Sequence, residues 1–178
     1  EITIDRMVGK GRHAPLHPDD FAELIRTKVF TVDSDKELTV HLYTQVMMRV
    51  FADVVTKLDF NQKSWDPEDF KNLARALTMC TKLKGVLRLN RTNMTAESAA
   101  ALCNALPDGA LPKLTELDLN NNPKLGKDGA KEFAAAIEAG KFPSLKVLHI
   151  TTNTNIGAEG TMALTAAKRR ANRQIQFI

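Results

Sequence analysis

A chain of 178 residues with 43% hydrophobic and 26% charged content has the size and composition of one globular domain with a continuous core. No apolar run approaches the roughly 20 residues that span a bilayer, and no signal-peptide pattern opens the chain. A net charge of +4 is far from the footprint of a nucleic-acid binder.

In chain order, residues 1–17 read as an extended arm, with Ile2 and Ile4 placed to pair as an edge strand. Gly9-Lys10-Gly11 lacks the length and the Ser or Thr of a phosphate loop. His13 and His17 are separated by Pro15 and followed by Pro18, so they do not share a helical face as metal ligands would. A helix is expected from Pro18, because proline suits the first helical position and Asp19 and Asp20 suit the positive end of the dipole. Phe21, Leu24 and Ile25 would be its buried side. Val29 to Val32 fits either a strand or a last helical turn. Ser34 to Glu37, S-D-K-E, has the form of a capping box. The helix after it carries Tyr43, Val46, Met47, Val50, Phe51 and Val54 as one apolar stripe. Residues 18–54 are therefore expected to form an N-terminal helical cap over the open end of a repeat stack.

From Val55 onward the chain is periodic. Leu114, Leu117 and Leu119 alternate as the buried side of a short strand does. Leu125, Phe133 and Ile137 then fall on one face of a helix. The next segment repeats the scheme with Leu145, Leu148 and Ile150, then Ile156 and Leu164. Earlier units read the same way: Val55, Leu58 and Phe60 with Trp65, Leu73 and Leu77, and Leu87 and Leu89 with Met94, Leu102 and Leu106. The second inward residue of each strand falls at 58, 87, 117 and 148, in steps of 29, 30 and 31. Ile175 and Phe177 have the place of a closing strand. Gly109-Ala-Leu-Pro-Lys-Leu114 and Gly140-Lys-Phe-Pro-Ser-Leu145 share one form: glycine ends a helix, proline prevents its continuation, and a strand begins.

The pattern L-x-x-L-x-L-x-x-N followed by L-G-x-x-G-x-x-x-[LF] resembles the leucine-rich repeat family, in its ribonuclease-inhibitor-like subtype, over about residues 55–178. The resemblance implies an α/β solenoid of four repeats plus the closing strand, with parallel strands on the concave face and helices on the convex face. Asn122 and Asn153 would turn inward and satisfy backbone groups at the strand ends. Thr92 could still bond at the matching place; Lys63 cannot accept and would turn outward.

Stacked strands place matching side chains in rows. Asp59, Arg88, Asp118 and His149 form one outward row, with Lys57, Val86, Glu116 and Val147 beside it. Such a row either neutralises itself along the sheet or offers a polar docking face to a protein. Asp59, Arg88, Glu116, Asp118 and His149, with Arg91 on the strand-exit loop, are the partner-binding candidates. Lys168, Arg169, Arg170 and Arg173 form a basic patch at the end of the last helix, suited to the dipole there. Without interleaved aromatics the patch has no means of stacking bases. His149 with Asp118 imitates a general-base pair, but no nucleophile accompanies it.

Cys80 and Cys103 do not make a disulfide framework and read as reduced core thiols of an intracellular protein. Because the chain starts at Glu1 and not at Met, it reads as a processed piece of something longer. Cytoplasm or nucleus is expected, with an organelle left open. The expected function is a non-enzymatic protein–protein interaction module or assembly subunit, with no cofactor, no metal, no small-molecule substrate and no nucleic acid. Two alternatives accompany it: a structural subunit of a large complex, or a regulator of a small GTPase. Repeats of this subtype occur in activators of Ran-type GTPases, and Asn90, Arg91 and Asn120 occupy comparable strand-exit places.

Overall fold

The computed structural model describes Thr3, Ile4 and residues 13–178. Among the described residues, six strands form one parallel sheet in sequence order: β1 (Thr3–Ile4), β2 (Lys57–Asp59), β3 (Val86–Arg88), β4 (Glu116–Asp118), β5 (Val147–His149) and β6 (Gln176–Phe177). Leu58, Leu87, Leu117, Leu148 and Phe177 occupy one register row across five of them. Between strands run α3 (Pro67–Leu77), α4 (Ala96–Ala105), α5 (Gly126–Glu138) and α6 (Gly157–Arg170). Each helix packs on the next, α3 on α4, α4 on α5 and α5 on α6. The inward residues of sheet and helices bury one continuous core that includes Phe60, Phe70, Phe133, Leu87 and Leu117. This is an α/β repeat fold. Among the described residues, no helix is long and apolar enough to cross a membrane.

The repeats bury what their spacing predicts. Leu58, Leu73, Leu77, Leu89, Leu114, Leu119, Leu125, Phe133 and Leu148 are fully enclosed. Gly140, with φ +75°, reverses the chain after α5 in the left-handed region that favours glycine. Ile4 joins the sheet beside Leu58, so the arm supplies a strand ahead of the first repeat. Ile2 and the Gly9-Lys10-Gly11 stretch lie outside the described residues.

The segment before the repeats departs further from expectation. Helix α1 (Pro18–Arg26) starts at Pro18 as expected, with His17 as its N-cap accepting from the Asp19 backbone N–H. Leu24, expected inside, is 41% exposed. Residues 29–32 form neither strand nor helix. Helix α2 (Ser34–Met47) begins without a side-chain cap. Its N-cap residue is Asp33, already in helical φ/ψ, and backbone bonds from Asp35 and Lys36 to Val32 and Asp33 start the winding. The S-D-K-E capping box therefore does not form.

The helix widens at Met48–Val54 into a π-helical stretch, closed by a Val55 N–H to Val50 carbonyl bond. This wider winding turns the residues from Met48 onward relative to those of α2. Tyr43, Met47 and Phe51, spaced by four, turn toward the core, whereas Val46 is 59% exposed. Tyr43 stacks on Phe21 with ring centroids 3.8 Å apart and donates its hydroxyl to the Leu16 carbonyl. Burial pushes the Tyr43 phenol upward, opposed by that hydrogen bond.

Candidate functional site: the outward face of the sheet

Period-two alternation sends Leu58, Leu87, Leu117 and Leu148 inward and the residues beside them outward. Asp59, Arg88, Asp118 and His149 stand in register on successive strands. Arg88 Nη1 lies 3.3 Å from Asp59 Oδ2, with side-chain exposures of 45% and 16%. His149 does not pair with Asp118, its direct neighbour. Its Nε2 lies 2.7 Å from Glu116 Oε1, two residues back along the adjacent strand. This diagonal is within reach of a long side chain, and it removes the His149–Asp118 pairing expected from register alone.

Asp118 uses one carboxylate oxygen to accept from the Asn120 backbone N–H at 3.0 Å. Asp59 does the same for Asn61 at 3.1 Å. Both aspartates therefore brace the strand exits while presenting charge outward. Arg91 is exposed on the exit of β3 with φ +57°, and its backbone N–H donates to the Asn120 carbonyl. Its side chain makes no ion pair among the described residues. Val86 belongs to the same outward set yet is only 7% exposed, lying on a strand flanked by β2 and β4.

Behind this face the buried polar residues form a connected ladder. The Asn122 carbonyl oxygen accepts from the backbone N–H groups of Thr92 and Met94, and its amide donates to the carbonyls of Leu89 and Leu119. Asn153 repeats the arrangement one unit later, accepting from the Asn122 N–H and donating to Leu119 and Ile150. Thr92 continues the ladder by donating its hydroxyl to the Leu89 carbonyl. Lys63 does not turn outward. It is 8% exposed, because a lysine stem can fill an interior position that an amide fills elsewhere.

The basic patch is largely engaged within the fold. Arg170 pairs with Glu138 at 3.0 Å, Arg173 donates to the Phe142 carbonyl, and Lys168 lies 5.9 Å from the Phe177 ring centroid. Arg169 is exposed. These contacts tie α6 to the previous repeat and to the last strand. Cys80 and Cys103 are free and buried, and burial pushes both thiols up to about 12.

One buried charge escaped sequence reasoning. Asp69 is 4% exposed, completes a capping box with Asp66, accepts from the Ala14 N–H and lies 3.1 Å from His13 Nδ1. The D-P-E-D run at 66–69 signals the box. The tie to residues 13 and 14 is non-local and has no sequence signature.

Residues 110–134 and 143–164 match the family model described as Leucine Rich repeat. The matched segments hold β4, β5 and most of α5 and α6, the third and fourth of the periodic units. No curated protein sequence matches the chain. The family match and the parallel repeat fold together support a leucine-rich repeat protein, a class whose members are generally protein-binding modules.

Proposed function

We propose that the chain is a non-enzymatic interaction module that docks a partner protein on the outward face of its sheet. Asp59, Arg88, Arg91, Glu116, Asp118 and His149 are the contacting residues. The observation that carries this reading is the in-register row of mixed charge on a rigid sheet. Its ion pairs are exposed enough to be exchanged. A surface pair is worth about 0–1 kcal/mol, so a partner that re-pairs Arg88 or Glu116 displaces little. A backbone pinned by neighbouring strands would dock with little reorganisation. Specificity would then lie in the order of the charges and not in net attraction.

The repeat steps of 29, 30 and 31 residues, each with an α-helix, support the ribonuclease-inhibitor-like subtype. Residues 18–54 act in this reading as the N-terminal cap of the stack, since Phe51 joins the core just ahead of Val55. Two buried reduced thiols support an intracellular location. The test is affinity capture from a cell extract, with the wild type beside a variant carrying Arg88→Glu and Asp118→Lys. Loss of a defined set of captured proteins supports the face; retention of all of them rejects it.

A further inference from the structure

Helix α2 carries an apolar stripe that its own fold does not use. Tyr43 and Met47 turn toward the core. A second, mixed face, with Lys36, Glu37, Val40 and His41, lines a groove of about 770 Å³ shared with Ala22 and Ile25 of α1. The third face carries Leu38, Leu42 and Val46, which are 54%, 51% and 59% exposed. At about 100° per residue these three fall within about 40° of one line along the helix. Large apolar side chains aligned on an exposed side of a helix mark a contact face, and nothing among the described residues covers this stripe.

The charges at the two ends of the stripe say what fits it. Asp35 lies one turn before Leu38, and Arg49 one turn after Val46; both are exposed. Neither makes an ion pair among the described residues. In a two-fold antiparallel helix pair centred on Leu42, residues equidistant from that centre face each other. Leu38 then meets Val46, Leu42 meets Leu42, and Asp35 of each copy meets Arg49 of the other. A parallel pair would set Asp35 against Asp35. The stripe is self-complementary in shape and charge in one orientation only.

We propose that the protein self-associates through an antiparallel α2–α2 contact between two copies, with Leu42 at its centre and Asp35–Arg49 pairs at both ends. The contact spans about 21 Å of helix, a small interface with a dissociation constant on the order of micromolar. It leaves the outward face of the sheet free, so each dimer carries two such faces.

The test is sedimentation equilibrium of the whole chain and its surface variants, each checked for native circular dichroism. The wild type is expected to be a dimer at tens of micromolar, and Leu42→Glu a monomer. Asp35→Arg alone and Arg49→Asp alone put like charges together at both ends, and each is expected to weaken association roughly tenfold. Mixing the two single variants restores opposite charges at both ends, so the mixture is expected to form a heterodimer of wild-type strength. A monomeric wild type overturns the proposal. A dimer that survives Leu42→Glu, or a variant mixture no tighter than its components, overturns it equally.

Discussion

Replacing Asn122 by alanine tests how the repeats are joined. Asn122 is fully buried, and its side chain serves four backbone groups. The carbonyls of Leu89 and Leu119 keep other donors after truncation, from the Thr92 hydroxyl and the Asn153 amide. The N–H groups of Thr92 and Met94 keep none. Each orphaned buried donor costs about 1–3 kcal/mol, so Asn122→Ala is expected to lose about 2–6 kcal/mol. Asn153→Ala orphans only the Asn122 N–H and is expected to lose about half as much. Urea unfolding followed by circular dichroism gives both values from the shift in midpoint at constant slope. A loss below about 1 kcal/mol for Asn122→Ala, or an equal loss for the two variants, would refute the assignment of these amides as the backbone's partners.

Other consequences are equally direct. A methyl group added at Gly160 would sit 2.7 Å from Ile156 Cγ2 and 3.3 Å from the Lys127 Cα. Gly160→Ala is therefore expected to destabilise by about 1–3 kcal/mol despite its gain in helix propensity, measured as a fall in melting temperature. At Gly140 there is space but φ is +75°, so Gly140→Ala should cost about 1–2 kcal/mol from backbone strain alone. Neither Cys80 nor Cys103 should react with an aromatic disulfide reagent at pH 8 in the native protein, and both should react in urea. Prompt native reaction would contradict their burial. Both thiols are raised from 9.0 to about 12, so their contribution to stability is complete below pH 9 and lost as pH rises toward 12. The urea midpoint should fall across that window.

The repeats are legible because each inward position recurs in phase: Leu87, Leu117 and Leu148 are spaced by the period and stand side by side on parallel strands. Glycine and proline at the helix ends reinforce the same phase. The N-terminal stretch resists for local reasons. The S-D-K-E run has the composition of a capping box, but Asp33 already has helical backbone angles. Tyr43, Met47 and Phe51 turn inward at spacings of four, while Val46, within the α-helical part ahead of the π-helical stretch, faces out at the edge of that side. On the outward face, register places His149 beside Asp118, whereas side-chain reach pairs it with Glu116. The basic patch looks free in sequence because Glu138 and the Phe142 carbonyl lie a whole repeat away.

Those last contacts reveal how the stack distributes its work. Ties between repeats join a residue to one about 28 to 35 positions away: Asn122 to Met94, Lys131 to Glu159, Arg170 to Glu138, Lys141 to the Leu106 carbonyl. Each unit is thus held by its immediate neighbours, as expected of a stacked α/β repeat fold. The amides fix the strand exits from inside, while lysines and arginines clamp adjacent helices outside; Glu159, held below the usual carboxylate range by Lys131 and Lys127, is one such clamp. The outward face of the sheet adds two partly exposed ties of the same span, each worth about 0–1 kcal/mol. Its Asp59–Arg88 and Glu116–His149 pairs can be exchanged without touching the amide ladder beneath. Arg88, Glu116 and His149 can therefore change with little cost to the fold, whereas Asp59 and Asp118 also brace the strand exits through the Asn61 and Asn120 N–H groups.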